Sequence, residues 1–178
     1  TRWIKGNISD ESVVSSLGQF DGIILRFVAQ HIPNFEDVLP ALRSLLKSGG
    51  MIWIIDTELD NVTSSDTSGV FEIYKRGLEK FYNNNGLDGH IGSKLSPLLQ
   101  GAGFYVVTRE IDPMSNTEMG TENYQYFLMH GAVLLRAYDP SVYTEEELKQ
   151  IGQFIEAVVP TEGFYGQNGI IMIAARKE

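Results

Sequence analysis

The chain has 178 residues, of which 43% are hydrophobic and 11% aromatic, and this is enough to bury one proper core. Its formal net charge of −9 repels phosphate backbones, so we do not expect nucleic acid as a partner. The absence of cysteine excludes disulfides, a thiolate nucleophile and cysteine-ligated metal.

The apolar runs of the sequence are too short to span a bilayer, and no signal-peptide pattern opens the chain. We therefore predict one domain in the cytoplasm, with no membrane partner. The chain opens without Met and already in a strand-like segment, residues 2–8. This opening favours residues missing upstream.

The first third of the chain alternates strand-like and helix-like segments. After residues 2–8, the helix-start signal Ser9-Asp10-Glu11 predicts a brief helix that stops near Gly18. The later predicted elements are a strand at 23–28 that is apolar on both faces, a helix at 35–46 closed by Gly49-Gly50, and a buried strand at 51–55 that ends at Asp56.

The rest of the chain continues the alternation after a polar loop at 60–69. Its predicted elements are helices at 70–82, 91–101 and 123–138, a helix opened by a capping box at Thr144 and Glu147, and strands at 104–111 and 169–175. Strands that alternate with helices and are apolar on both faces predict an α/β fold, with a largely parallel sheet sandwiched between helices.

Several segments, in this order, resemble the class I (Rossmann-like) methyltransferases. They are the FDGIILRFVAQHI run at 20–32, LRSLLKSGG at 42–50 (with Ser48 where Pro is usual), the strand at 51–56, GLDGHIG at 86–92, the AGF at 102–104, and the closing strand that ends in Arg176-Lys177. Each segment alone is a weak signal, but together they cover most of the chain.

The resemblance implies S-adenosylmethionine as cofactor and a small molecule as methyl acceptor. It implies a Rossmann-like methyltransferase sheet that is mostly parallel, with the last strand antiparallel and a helical, lid-like insertion at 112–168. The family holds its cofactor with a glycine-rich turn after the first strand, and this sequence has no GxGxG pattern. We therefore expect a sheet that is incomplete at its amino-terminal side. The missing strands would leave an edge that favours a homodimer or strand exchange.

Ligands of open α/β sheets bind outside the carboxyl ends of the strands, and this places the candidate residues. The resemblance assigns cofactor contacts to residues at or just beyond these ends, with Arg26 facing a carboxylate of the cofactor or of the protein. The full set is His31 as catalytic residue, Asn7, Ile8, Arg26, Phe27 and Gln30 for the cofactor, and Asp56 and Glu58 for the substrate.

Other chemistries have little support. His90 and His130 have no second His or carboxylate at ligand spacing, so no metal site is predicted. The serines lie outside a G-x-S-x-G setting, which argues against a serine hydrolase.

Two alternatives to methyl transfer stay open. The chain could be a degenerate methyltransferase fold that serves in protein interaction or dimerisation without catalysis. It could also be another α/β ligand binder, such as a nicotinamide enzyme, which would need the same glycine-rich turn. The sequence does not identify the methyl acceptor.

Overall fold

The computed structural model describes residues 3–178. Its α-helices are α1 (Glu11–Ser15), α2 (Leu39–Ser44), α3 (Val70–Asn84), α4 (Ile91–Gly101), α5 (Asn116–Met119), α6 (Thr121–Tyr138) and α7 (Glu145–Ala157). Its strands are β1 (Phe20–Arg26), β2 (Leu46–Thr57), β3 (Thr63–Ser64), β4 (Phe104–Asp112), β5 (Gly166–Gln167) and β6 (Ile170–Lys177). No helix among residues 3–178 is long and apolar enough to cross a membrane.

The chain divides into two compact units. The sheet unit comprises the residues up to Asp56 together with Ile91–Glu110 and Ile171–Glu178. The helical unit comprises Thr57–His90 and Ile111–Ile170. The predicted insertion at 112–168 falls in the helical unit, but that unit also takes in the segment that contains α3. A lid role for it stays a prediction.

The sheet unit is built on a four-stranded sheet in the order β1-β2-β6-β4. Strands β1 and β2 are parallel, with Arg26 opposite Ile55, and the remaining pairings are mostly antiparallel because the last strand, β6, lies between β2 and β4. The predicted α/β class with an antiparallel last strand is confirmed. Parallel neighbours such as β1 and β2 need a long connection between them, and α2 lies in that connection. Helix α4 lies in the connection that leads to β4.

One face of this sheet carries the core of the sheet unit. Burying each large aliphatic side chain contributes about 1.5–3 kcal/mol, so this layer accounts for much of the unit's stability. The fully buried contributors from helices and strands include Leu39, Leu42, Ile52, Ile54, Leu95, Leu99, Ile173 and Ala175.

The opposite face of the sheet is open, and this corrects the prediction of strands buried on both sides. Ile24 in β1 is 70% exposed, and its register partner Trp53 in β2 is 40% exposed. Tyr105 and Val107 in β4 are also exposed. Apolarity on both faces of a strand does not identify the layer that covers it, and residues 3–178 contain no helix that buries these side chains.

Two local predictions are also wrong, namely the strand over residues 3–8 and the glycine cap of the helix at 35–46. Residues 3–8 form no strand, and Arg2 lies outside the described residues. The helix predicted at 35–46 is a short 3₁₀ helix, Phe35–Val38, followed by α2, which ends at Ser44. Gly49 has φ +73° and lies inside β2, where the register with β1 shifts, so the Gly pair forms an irregularity in a strand and not a helix cap.

The helical unit packs α3, α6 and α7 around its own core. Gly77 in α3 is required there, because a Cβ atom at this position would lie 1.9 Å from the ring of Tyr143. The Tyr143 hydroxyl donates a 2.7 Å hydrogen bond to the backbone oxygen of Tyr74. Burial raises the pKa of Tyr74 to about 12. The capping box predicted for α7, formed by Thr144 and Glu147, is confirmed.

Candidate functional site

The turn that follows β1 is the centre of the candidate site. This strand-end turn, residues 27–31, begins with Phe27, whose φ of +52° lies in the left-handed region that disfavours bulky residues. It continues as a 3₁₀ helix, Ala29–His31. Because β1 and β2 are parallel, their carboxyl ends meet at one edge of the sheet, where open α/β sheets bind ligands.

Asp56, near the end of β2, fixes the shape of the strand-end turn. Its Oδ2 atom accepts backbone N–H bonds from Val28 at 3.1 Å, Ala29 at 2.8 Å and Gln30 at 3.4 Å. The carboxylate is fully buried, so these three N–H groups replace the water that it has lost. Substrate binding by Asp56 stays a prediction, since the described contacts make it a brace for the turn.

Arg26, the last residue of β1, and Phe27, the first residue of the turn, are in contact. The Phe27 N–H donates a 2.8 Å bond to the backbone oxygen of Ile55, which holds the residue in its strained conformation. The Arg26 guanidinium carbon lies 5.1 Å from the centroid of the Phe27 ring. The expectation that Arg26 lies in a buried strand is wrong, because its side chain is exposed and extends along an aromatic ring.

His31 and Gln30 are adjacent polar groups of the turn. Gln30 is 7% exposed, whereas His31 is exposed. The amide nitrogen of Gln30 lies 3.3 Å from Nε2 of His31, so the amide orients the imidazole. An oriented and accessible imidazole can position a nucleophile or take a proton from it near neutral pH.

Asn7 and Ile8 do not end a strand, so the physical basis for predicting cofactor contacts there is lost. The Asn7 side chain accepts a 2.9 Å bond from the backbone of Ser9 in a local turn. Ile8 packs against the core of the sheet unit and lines a cavity of about 550 Å³, together with Pro33 and Pro40. Contact of these residues with a cofactor stays a prediction.

Glu58 belongs to a cluster in the helical unit that sequence spacing did not reveal. Nδ1 of His90 lies 3.2 Å from Oε1 of Glu58 and 3.4 Å from Oδ1 of Asp60. The prediction that His90 has no carboxylate at ligand spacing rests on the sequence alone, and the fold places two carboxylates beside it. Glu58 and His90 are 32 positions apart in the sequence, so no local motif predicts their contact.

The aromatic residues of α6 divide between core and surface. Tyr124 is fully buried and stacks with Phe127, whereas Tyr126 and Tyr138 are exposed. Tyr126 stacks on His130, with ring centroids 5.3 Å apart, beside an open apolar cavity of about 430 Å³.

Comparison with solved structures identifies the fold. A candidate methyltransferase from Bacillus halodurans superposes with a TM-score of 0.57 at 17% identity, over 98% of this chain and 76% of its own. The YcgJ protein of Bacillus subtilis gives 0.50 at 10% identity, over 99% and 71%. A phosphoethanolamine N-methyltransferase of Haemonchus contortus, in complex with phosphomonomethylethanolamine and S-adenosylhomocysteine, gives 0.47 at 13%, over 89% and 33%.

The first match confirms the Rossmann-like methyltransferase fold that the sequence segments indicated. This chain spans about three quarters of each of those two proteins and a third of the Haemonchus enzyme. No protein-family model and no curated protein matches the sequence.

Proposed function

We propose that this chain takes part in S-adenosylmethionine-dependent methyl transfer to a small-molecule acceptor. The observation that carries the proposal is the braced and strained strand-end turn, in a fold shared with a candidate methyltransferase. Backbone strain persists only where surrounding structure enforces it, and it is concentrated at functional sites. Here, Asp56 and the Ile55 carbonyl enforce it at the edge of the sheet where ligands bind.

The chemistry demands alignment more than acid–base groups. The sulfonium of the cofactor supplies an activated methyl group, so catalysis comes mostly from orientation and proximity. A rigid turn that carries an exposed imidazole suits this task. In the proposal, His31 orients or deprotonates the acceptor, and Gln30 holds the imidazole in place. The net charge of −9 supports a small acceptor over a nucleic acid.

The residues present fit part of a cofactor site. The exposed guanidinium of Arg26 beside the Phe27 ring suits a carboxylate-bearing, partly apolar ligand. No glycine-rich turn exists in the sequence to bring backbone N–H groups and a helix N-terminus to such a ligand. We therefore propose that these 178 residues alone hold the cofactor weakly. Cofactor contacts from Asn7 and Ile8, and substrate contacts from Asp56 and Glu58, belong to the same proposal.

The open face of the sheet favours a second candidate function. Ile24, Trp53, Tyr105 and Val107 present apolar side chains on one sheet, and contiguous exposed apolar surface marks interaction sites. A methyltransferase fold without its glycine-rich turn could serve as an interaction or dimerisation module, with β1 as the free edge.

One assay separates the two functions. The full-length protein is incubated with methyl-labelled S-adenosylmethionine and pools of small hydroxylated, amine-bearing and carboxylated acceptors. Label in a small-molecule product supports catalysis. Self-association without label transfer in any pool supports the interaction module.

A further inference from the structure

We propose that Glu58, Asp60 and His90 bind a divalent first-row transition-metal ion such as Zn²⁺ in the helical unit. The three residues each offer one ligand atom, and these atoms lie within 4.8 Å of one another. A nitrogen donor with two carboxylate oxygens is a ligand set that Zn²⁺ and its neighbours bind. The site uses Glu58, which the proposed function also assigns to the substrate, but metal binding itself does not require methyl transfer.

Two of the three separations between the ligand atoms match those around a metal ion. A tetrahedral ion with bonds of about 2.1 Å holds its ligand atoms roughly 3.4 Å apart. Nδ1 of His90 lies 3.2 Å from Glu58 Oε1 and 3.4 Å from Asp60 Oδ1. An ion can therefore enter with small side-chain rotations.

The cluster combines one buried ligand with two accessible ones. The Glu58 side chain is only 4% exposed. Asp60 and His90 are 76% and 45% exposed, so the site is open to ions in solution.

Backbone contacts hold the two loops of the cluster together. The Leu59 N–H donates a 2.9 Å bond to the backbone oxygen of Gly89, and a Cβ atom at Gly89 would lie 2.4 Å from the Leu59 side chain. The Asp60 N–H donates to Glu58 Oε1, and the His90 N–H donates to Asp88. The ligands are thus positioned before an ion arrives.

A polar cavity beside His90 can hold water next to one of the three ligands. It measures about 210 Å³ and is lined by Glu79 and Asn83 as well as by His90. Since one water takes about 30 Å³ of liquid volume, several waters fit.

Metal titration of the tag-free full chain tests the site. With Zn²⁺ in calorimetry, and with Co²⁺ in visible absorption spectroscopy, we expect one ion per chain. His90→Ala and Asp60→Asn should each weaken binding tenfold or more. The matched controls are His130→Ala and the exposed Glu146→Gln in the same unit, and both should bind as the parent does.

Circular dichroism without metal checks that each variant folds. If His90→Ala does not fold, Asp60→Asn still tests the site. Absence of stoichiometric binding at about 100 µM Zn²⁺ would overturn the site. Binding that survives both ligand substitutions would overturn it too, because the ion would then be held elsewhere.

Discussion

The Oδ2 atom of Asp56 lies 2.8 Å from the backbone nitrogen of Ala29, so a side chain near the end of one strand sets the conformation of the turn after its neighbour. Val28 and Gln30 donate to the same oxygen. The position of His31, which follows directly in the chain, therefore depends on a carboxylate that is 25 positions away in the sequence.

Replacing Asp56 should destabilise the protein strongly. Asp56→Ala leaves three N–H donors around a buried cavity without their acceptor, and the expected loss is about 3 kcal/mol or more in the free energy of unfolding. Urea unfolding followed by tryptophan fluorescence measures it. The control is Asp21→Ala, since Asp21 makes an exposed ion pair with Lys47 and should be replaceable with little change. Equal urea midpoints for the two variants would show that Asp56 does not brace the turn.

The free energy of unfolding should fall at alkaline pH because of buried tyrosines in the helical unit. Burial raises the pKa of Tyr74 from 10.0 to about 12, and burial also raises the pKa of Tyr124 and Tyr143. The folded protein therefore keeps protons that the unfolded chain releases above pH 10, and stability falls as pH rises from there to about 12. Each such group contributes up to about 1.4 kcal/mol per pH unit in that window.

Thermal melts between pH 8 and pH 11.5 measure this loss. We expect a flat melting temperature up to about pH 9.5 and a steep fall above it. Ultraviolet absorbance follows tyrosine ionisation in the same samples. Ionisation of every tyrosine near pH 10 while the protein stays folded would contradict the expected burial effect.

Assembly should depend on the open face and free edge of the sheet. Strand β1 is an edge strand of the sheet, and its residue Ile24 is 70% exposed. Such an edge pairs with another chain unless something protects it, so we predict concentration-dependent dimerisation of the chain. Strand exchange through residues 3–8 is a less direct route, because these residues form no strand.

Light scattering across a range of concentrations tests the assembly. Ile24→Lys should shift the protein to a monomer while its fold is kept, because the side chain is exposed in the single chain. Tyr138→Lys replaces an even more exposed residue of the helical unit and should leave the dimer intact. A parent chain that remains at 19.9 kDa at every concentration refutes the prediction.

His31 should affect turnover more than cofactor affinity. In the proposed methyltransferase, loss of one positioning or base group would lower kcat by about a hundredfold. His31→Ala should show this loss, and His130→Ala, which removes a stacked surface imidazole from α6, should not. Gln30→Ala should give a smaller loss, since it removes the group that orients the imidazole. Unchanged turnover in His31→Ala would assign the residue to the turn's structure alone.

The sequence predicts the features that depend on neighbouring residues, such as helix caps and helix periodicity. The capping box of Thr144 and Glu147 is confirmed, and so is the helix start at Ser9-Asp10-Glu11, where Asp10 is the N-cap. Each depends on a few neighbouring residues. The helix over residues 70–82 is confirmed as α3, since its apolar side recurs at helical spacing over three turns. The order of short methyltransferase-like segments likewise identifies the fold.

The failures concern contacts between distant parts of the chain. Nothing local distinguishes Ile24, which is exposed, from Ile54, which is fully buried, because both lie in apolar runs. Residues 3–8 alternate like a strand, but no partner strand pairs with them. The pairing of Glu58 with His90 is set by two loops meeting, so no spacing rule finds it.

Binding of S-adenosylmethionine, measured by calorimetry on both the 178-residue chain and the full-length protein, tests the proposed function most directly. We expect micromolar binding by the full-length protein, with Arg26→Ala weaker than the parent, and weak or undetectable binding by the 178 residues alone, which lack a glycine-rich turn. No heat of binding from the full-length protein at about 1 mM ligand would contradict the proposal of a methyltransferase. Micromolar binding by the 178 residues would contradict the proposed need for a glycine-rich turn.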